Sequence, residues 1–560
     1  MARPADGGGP GSGGTRAPEA AVPGLRDCLK FDPGSARAYR ASGAWNGDTV
    51  GALLGRWAAQ TPDRIGLAGP AATLSYAEVH RQARRLAGGL RGLGIARGDV
   101  IAIQLPNVPE FVQSYFAACH LGAVLSPVHM PLRQMELEPL LAHAGARAVI
   151  CGARTEGYDA PATMLQLKAR LPGLQHVIVA GGAAPAGAVS LQALLAEAPA
   201  GDVGTAPAAD DPALLCFTSG TSAAPKAVVH NHHTMLSNNR LCAPLYGLAS
   251  GDVVLSAAPF THAFGICVIN FALLGGATHR LLPQFTPAGL AEAIEAGRPS
   301  LLFLAPAHAA MCLNGGVFDG RDLSSLRLVT ISGAPCPVEL ARDLDERLPQ
   351  GVVVQMWGMS ESFMGLLTPS DAPSGRRFAT VGKATPAVEH RIVGHDGVEA
   401  PDGAEGEIGI RGCSVIPGYF GNEAANRDSF DAQGWFRTGD LAVRDPDGFV
   451  RITGRVKDII NRGGVKFNPV DVEVLLSRMP GVAEVAIAPW PDPVLGERAC
   501  AFVVPRAGAK LSLDAILRYL DEQGVVKLKW PERLEIIESM PITPTRKIIK
   551  SRLTQLLQQR

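Results

Sequence analysis

The chain has 560 residues, 47% of them hydrophobic and 19% charged, with 52 basic side chains against 52 acidic ones. Such a length exceeds what one hydrophobic core usually supports, so two or more domains are expected. Balanced charge provides no overall field for nucleic acid or an acidic membrane surface, so any anion site has to be assembled locally.

The first stretch, residues 1–45, is rich in Gly, Pro and Ala, as in Gly7-Gly8-Gly9 and Gly13-Gly14. It lacks the apolar centre of a signal peptide and reads as a disordered lead-in. Regular patterning begins near Asp48. Ser75 and Glu78 form a capping box ahead of Val79, Ala83, Leu86 and Leu90 at helical spacing, with Gly92 and Gly94 closing the helix. A strand over Val100 to Leu105, a helix around Phe111 to His120 and a short strand at Ala123 to Leu125 follow. Further short apolar or β-branched runs lie at Ala148 to Cys151, His176 to Ala180, Ala213 to Phe217, Leu301 to Ala305, Leu326 to Ser332 and Val352 to Met356. This alternation implies parallel strands with helices packed on the sheet faces.

After about residue 385 the segments become punctuated by Gly and Asp, as in Glu405 to Arg411 and Phe449 to Thr453, which reads as antiparallel hairpins. The last hundred or so residues restart an alternating pattern: strands at Val485 to Pro489, Ala499 to Val504 and Leu534 to Glu538, helices at Leu513 to Glu522 and Ile548 to Leu557. A boundary is placed near Arg455 to Asp458, dividing a large domain (46–456) from a small one (457–560). The expected fold class is α/β: a large N-terminal region of packed mixed sheets with helices and a small antiparallel β subdomain, then a smaller, mobile α+β C-terminal domain.

The ten cysteines are scattered, with no CxxC pair and no metal-ligand spacing, and most fall in apolar runs. They read as buried free thiols in a reducing compartment. The most apolar stretch, Phe264 to Ala277, is too short to span a bilayer of roughly 30 Å. The expectation is a cytoplasmic protein with no transmembrane segment and no nucleic-acid partner.

The stretch Phe217 to Lys226 carries the strongest chemistry. Thr218, Ser219, Thr221 and Ser222 cluster around Gly220, and Lys226 follows. Hydroxyls and backbone N–H groups in a turn wrap phosphate oxygens while a lysine supplies a point charge. It is not a Walker A loop, because Pro225 precedes the lysine and Ala227 follows it; taken alone it also reads as a Ser/Thr-rich surface turn. Two later stretches complement it. Trp357-Gly358-Met359-Ser360-Glu361 emerges at the carboxyl end of a strand, where open α/β sheets bind ligands. A glutamate there suits magnesium bridging phosphate oxygens. Gly434 to Asp440 offers an aspartate in a glycine turn, suited to accept bonds from vicinal hydroxyls.

With Thr261-His262-Ala263-Phe264-Gly265, Ser332-Gly333-Ala334-Pro335, Gly454-Arg455-Val456-Lys457-Asp458, Gly463-Gly464 and Thr543 to Lys547, these motifs occur in the order found in the adenylate-forming (AMP-binding) superfamily. The chain resembles that superfamily from about residue 45 onward, and within it the acyl- and aryl-CoA synthetases, nearest the aryl-acid and cyclohexanecarboxylate-type ligases. The resemblance implies that Thr218, Ser219, Gly220, Thr221, Ser222 and Lys226 hold the β- and γ-phosphates of ATP. Gly333, Ala334, Pro335, Trp357 and Gly358 would line the adenine slot. Asp440 and Arg455 would hold the ribose, Ser360 the α-phosphate and Glu361 the magnesium ion (Mg2+). Lys547 would bridge the substrate carboxylate and α-phosphate, and His262 would gate the acyl pocket. Lys457 takes the hinge position, and Gly463 and Gly464 the pantetheine path of CoA.

Phe260 is followed by Thr261 where amino-acid-activating relatives place an aspartate, so an acid without an α-amine is favoured. Phe264, Ile266, Val268, Phe271 and Leu274 suggest an apolar acyl pocket. The implied activity is ATP-dependent ligation of a medium-chain, alicyclic or aromatic carboxylic acid to CoA through an acyl-adenylate, with monomer or homodimer left open. Transfer to a carrier protein, or a non-catalytic adenylate-binding role, are the alternatives. Ala223, Ala227 and Arg546 stand where relatives usually carry glycine, and a Cβ would cost about 1–2 kcal/mol if those sites need positive φ. His230, His232 and His233 invite a metal reading, but no acidic or thiol partner adjoins them.

Overall fold

The structure, a computed structural model, describes residues 24–155, 157–197, 204–218, 226–394, 396–543 and 547–558. Among these, strands form sheets of nine, eight, four and five members. The nine-stranded sheet has a parallel centre: Val352–Met359, Leu328–Ser332, Leu301–Leu304, Val253–Ser256, Thr278–Arg280 and Ile65–Ala68. Phe363–Leu367 pairs antiparallel beside Val352–Met359. The eight-stranded sheet runs parallel from Pro212–Thr218 through Val124–Pro127, Val100–Gln104, Ala146–Gly152 and His176–Ala180 to Val189–Ser190. Lys226–Asn231 returns antiparallel against Pro212–Thr218.

One apolar core draws on both large sheets, from Ile101, Leu125 and Leu214 on one to Val254, Phe303 and Met356 on the other. The helix Ala263–Gly275 belongs to that core, and it is apolar on every face except at Asn270, whose Oδ1 accepts from Tyr115 Oη at 2.8 Å. The antiparallel sheet comprises Val388–Val393, Glu405–Gly412, Phe436–Arg444 and Val450–Arg455. Beyond the turn Val456–Asp458, the described residues from Ile460 to Leu557 build their own sheet and cores, one around Ile460, Val472 and Phe467, another around Ala486, Phe502 and Leu553.

The capping box forms as read: the Ser75 hydroxyl accepts from Glu78 N at 3.3 Å, and the Glu78 carboxylate accepts from Ser75 N at 2.9 Å, opening the helix Tyr76–Gly92. Residues 24–45, expected within the disordered lead-in, are instead folded; the earlier part of that lead-in lies outside the described residues. Asp32 caps the helix Pro33–Ala41, its carboxylate accepting from Ser35 N at 2.7 Å, and Leu29, Ala44 and Trp45 are buried. Trp45 Nε1 donates to the Cys413 carbonyl at 2.8 Å, and its ring stacks on His233 with centroids 4.7 Å apart. The segment's few apolar residues pack against partners far along the chain, so local composition hides its order. No helix among the described residues is long and apolar enough to cross a membrane.

Candidate active site

Thr218 and Lys226 end neighbouring antiparallel strands and pair directly across them. They form the base of the proposed phosphate loop; Ser219, Gly220, Thr221, Ser222 and Ala223 lie outside the described residues. Lys226 Nζ sits 3.3 Å from Ser429 Oγ and 4.7 Å from the centre of the Tyr419 ring. Ala227 is extended and buried within the strand Lys226–Asn231 and does not have positive φ, so its Cβ carries none of the cost considered from the sequence. Arg546 lies outside the described residues.

Two strands of the other sheet deliver the next groups. Ser332 and Met356 pair in parallel register, so Gly333-Ala334-Pro335 and Trp357-Gly358 leave neighbouring strand ends side by side. Gly333 has φ +93° and supports the turn. At Gly358 a Cβ would overlap the Phe363 carbonyl, so glycine is required by close approach of the hairpin partner.

Ser360, Glu361 and Ser362 form the loop between paired Met359 and Phe363. Phe363, buried, has φ +55°, a conformation that costs a β-carbon residue about 1–2 kcal/mol. It is held by the His230 ring at a centroid distance of 4.5 Å. His230 Nε2 lies 2.7 Å from the Ser360 carbonyl, and Nδ1 lies 2.9 Å from Thr234 Oγ1. His232 Nδ1 accepts from Val50 N at 3.3 Å. With His233 stacked on Trp45, each of the three histidines has a structural task.

Glu361 is buried, and Tyr419 Oη donates to its Oε1 at 2.8 Å. Burial pushes its carboxyl above the usual range, while Tyr419, Lys226 and Arg455 oppose that rise. Among the described residues no three metal-ligating side chains converge. The single buried carboxylate of Glu361 fits magnesium, which takes one or two carboxylates and completes its shell with phosphate and water oxygens.

Asp440 was read in a glycine turn but lies on the strand Phe436–Arg444, directly opposite Arg455. Gly434 and Gly439 do have positive φ, but only Gly434 belongs to the preceding turn; Gly439 is part of the strand. Arg455 Nε contacts Asp440 Oδ1 at 2.9 Å, and Trp357 Nε1 donates to Asp440 Oδ2 at 2.8 Å.

Lys547 enters from the C-terminal unit. Its backbone N–H donates to Thr543 Oγ1 at 3.0 Å, and its carbonyl accepts from Thr543 N at 2.8 Å. The ammonium is drawn down to about 8, first by desolvation and then by Arg455, while Asp440 and Glu361 pull it up and Lys457 adds to the lowering. Charges from residues widely separated in sequence therefore act on one ammonium.

His262 caps the helix Ala263–Gly275, its Nδ1 accepting from Phe264 N at 3.1 Å. A nitrogen that accepts carries no proton, so Nε2 holds the proton of the neutral ring. Desolvation, His129 and Lys547 push His262 down to about 3. Of the five apolar residues expected at an acyl pocket, Ile266, Val268 and Phe271 are fully buried in the core, whereas Phe264 and Leu274 are half-buried.

Gly463 and Gly464 have φ +60° and +88° and join the paired strands Ile460–Arg462 and Val465–Phe467. Two positive φ values mark a type I′ hairpin, so the turn itself requires these glycines. A Cβ on Gly464 would meet no atom within 4 Å. Lys457 lies in the turn Val456–Asp458 between the last strand of the antiparallel sheet and this hairpin.

Sequence reasoning missed His129 and Tyr419. His129 stacks near His262 at 6.0 Å and contacts Thr261 Oγ1 at 3.2 Å. Its position two residues beyond the parallel strand Val124–Pro127 is a usable signal, since ligand sites gather at strand carboxyl ends. Tyr419 carries no such signal, because its contact with Glu361 spans 58 residues.

Fold and site thus define an α/β protein in which Lys226 starts a strand, the buried Glu361 sits in a loop between paired strands, and Lys547 comes from the C-terminal unit. Residues 54–420 match the family model for AMP-binding enzyme, and residues 471–547 match that for the AMP-binding enzyme C-terminal domain. The chain belongs to this adenylate-forming family. It is 34% identical to the salicyl-AMP ligase / salicyl-S-ArCP synthetase of Mycobacterium tuberculosis, over 95% of each chain. It is 31% identical to the medium-chain fatty-acid–CoA ligase of Escherichia coli, over 94% of this chain and 93% of that one. The ATP-bound structure of MatB from Rhodopseudomonas palustris superposes with a TM-score of 0.80 at 26% identity, covering 91% of this chain and 99% of the other.

Proposed function

We propose that the chain is an ATP-dependent carboxylic acid–CoA ligase acting on an apolar medium-chain, alicyclic or aromatic acid. The observation that carries this reading is the Asp440 carboxylate held by Arg455 Nε at 2.9 Å and Trp357 Nε1 at 2.8 Å, with Arg455, Asp440 and the buried Glu361 all acting on the Lys547 ammonium. A carboxylate is a weak nucleophile facing a polyanion, so the barrier is charge repulsion and alignment. A carboxylate oxygen of the acid attacks the α-phosphorus of ATP, the bond to the β-phosphate oxygen breaks, and pyrophosphate leaves an acyl-adenylate.

Lys547, still largely an ammonium at neutral pH, offsets the charge that builds on the α-phosphate and aligns the attacking oxygen. Thr218, Ser219, Gly220, Thr221, Ser222 and Lys226 grip the departing pyrophosphate. Gly333, Ala334, Pro335, Trp357 and Gly358 flank the adenine, Asp440 and Arg455 bind the ribose, and Ser360 bonds the α-phosphate. Glu361 would hold magnesium, which supplies charge neutralisation of the phosphates. His262, neutral and bearing its proton on Nε2, borders the acid.

In the second half-reaction the CoA thiol gives its proton to solvent, its sulfur bonds to the acyl carbonyl carbon, and the bond from that carbon to the phosphate oxygen breaks, releasing AMP. Lys547 occupies the space that the thiol needs, so the C-terminal domain turns about Lys457 and brings Gly463 and Gly464 to the pantetheine arm. Transfer to a carrier protein is the second reading, favoured by the likeness to a salicyl-AMP ligase / salicyl-S-ArCP synthetase. Pyrophosphate release from ATP, Mg2+ and a panel of aliphatic, alicyclic and aromatic acids tests the first half-reaction. Comparing CoA with a phosphopantetheinylated carrier tests the second. No release with any acid sinks the ligase reading, and thioester formation only on the carrier replaces the acceptor.

A further inference from the structure

Asp440 is 7% exposed, and each of its carboxylate oxygens already has a fixed donor. Arg455 Nε approaches Oδ1 at 2.9 Å, and the indole Nε1 of Trp357 donates to Oδ2 at 2.8 Å. The two donors come from different sheets. Arg455 faces Asp440 across a strand pair of the antiparallel sheet, whereas Trp357 sits on Val352–Met359 of the nine-stranded sheet. Trp357 Nε1 is therefore a direct tie between the strand that carries the adenine-slot residues and the strand that carries the ribose carboxylate.

The indole is seated for this purpose. Trp357 is 8% exposed, and a Cβ on Gly365, on the neighbouring strand Phe363–Leu367, would overlap its ring. An indole has one N–H donor and no acceptor, so its edge can satisfy a carboxylate but cannot compete for a ribose hydroxyl as an acceptor. A carboxylate offers about four lone-pair positions; two are taken by Arg455 and Trp357, which leaves two for a pair of vicinal hydroxyls.

We infer that Trp357 is a positioning residue for ribose recognition: its indole N–H holds Asp440 in the orientation that accepts both hydroxyls of the nucleotide sugar. The inference rests on the reading of Asp440 as the ribose carboxylate. It extends the role of Trp357 from a wall of the adenine slot to the partner that orients the sugar site, a task that an aromatic ring without a donor cannot perform. Gly365 belongs to the same device, because any side chain there displaces the indole.

The test compares ATP with 2′-deoxy-ATP and 3′-deoxy-ATP in acid-dependent pyrophosphate release, using the full chain and the variants Trp357→Phe and Gly365→Ala. Phenylalanine keeps the ring and removes the donor. Loss of one hydrogen bond to a charged group predicts that the KM for ATP rises about 10- to 100-fold with kcat changed less than about threefold. The deoxy nucleotides, which present one hydroxyl fewer, lose less, so the preference for ATP over each of them narrows several-fold. Gly365→Ala narrows the preference in the same direction. Unchanged ATP-to-deoxy ratios in Trp357→Phe, or an equal fall of kcat with all three nucleotides, overturn the inference while leaving the ligase reading intact. Wild-type protein that uses the three nucleotides equally well overturns the ribose assignment of Asp440 and the inference with it.

Discussion

His230 Nε2 lies 2.7 Å from the carbonyl oxygen of Ser360, which ties the buried floor of the site to the loop that carries Ser360 and Glu361. A carbonyl only accepts, so Nε2 carries the proton, and Nδ1 accepts from the Thr234 hydroxyl at 2.9 Å. Desolvation holds the ring down to about 4, so it stays neutral at working pH. His230→Phe preserves volume against Phe363 but leaves the Ser360 carbonyl without its donor, a loss of about 1–3 kcal/mol. Adenylation efficiency is expected to fall about 10- to 100-fold. His230→Gln, whose amide nitrogen replaces Nε2, is expected to stay within about fivefold of wild type. Equal impairment of both variants in pyrophosphate release would show that the hydrogen bond does not matter.

Lys547 is expected to set the alkaline limit of activity. With its ammonium at about 8, kcat/KM for ATP, which reports the free enzyme, is expected to decline above pH 8. Bound phosphates favour the ammonium, so the kcat profile breaks at higher pH than kcat/KM. A kcat/KM that stays flat to about pH 9.5 contradicts the assignment. His262, held at about 3, adds no ionisation between pH 5 and 8.

Stability responds in the opposite range. His129, His230, His232, His233 and His279 are depressed to about 4, and His120 and His262 to about 3, with desolvation the first cause in each. Below their ordinary value near 6.5 the unfolded chain binds protons that the folded chain does not. Stability is therefore complete above pH 6.5 and is lost as pH falls toward 4, by up to about 1.4 kcal/mol per pH unit for each histidine. Denaturant titrations at pH 7.5, 6, 5 and 4.5 should show this loss with proton uptake on unfolding.

Local signals carried the fold well. The capping box at Ser75 and Glu78 and the short apolar runs mark elements whose residues decide their own conformation, and the strand His176–Ala180 and helix Leu513–Glu522 appear with the same bounds as read. What stayed hidden depends on distant partners. Trp45 is ordered by Cys413 and His233, and Glu361 is held by Tyr419, in contacts that no window of sequence contains. Asp440 looked like a turn residue because Gly434 and Gly439 precede it, yet the strand Val450–Arg455 pairs with it and draws it into a sheet. Gly463 and Gly464 were read on the pantetheine path of CoA, whereas their positive φ values show that the hairpin needs them first.

Docking of the small domain also has a visible contact. Arg478 Nη2 contacts Glu339 Oε1 at 2.9 Å across the two units, with both side chains about half exposed. An exposed pair contributes roughly 0–1 kcal/mol and is screened by salt. Glu339→Arg, by placing like charges together, is expected to slow adenylation about two- to fivefold and to leave thioester formation from preformed acyl-adenylate unchanged or faster. The effect should shrink in 0.5 M salt. A salt-independent loss in both half-reactions would refute this role.

The most direct separation of the two half-reactions comes from Lys547 itself. The charges of Arg455, Asp440 and Glu361 act on its ammonium, and in thioester formation the proposed rotation withdraws it. Lys547→Ala removes the cation that offsets charge on the α-phosphate, so the first half-reaction is expected to fall at least about 100-fold, the scale of losing one well-placed electrostatic group. Thioester formation from supplied acyl-adenylate should remain within about threefold of wild type, because the thiol attacks a carbonyl that is already activated. Single-turnover measurement of each step distinguishes the outcomes. Equal loss in both means that Lys547 supports the site as a whole rather than the chemistry at phosphorus, and selective loss of the first step fixes the state in which the small domain performs adenylation.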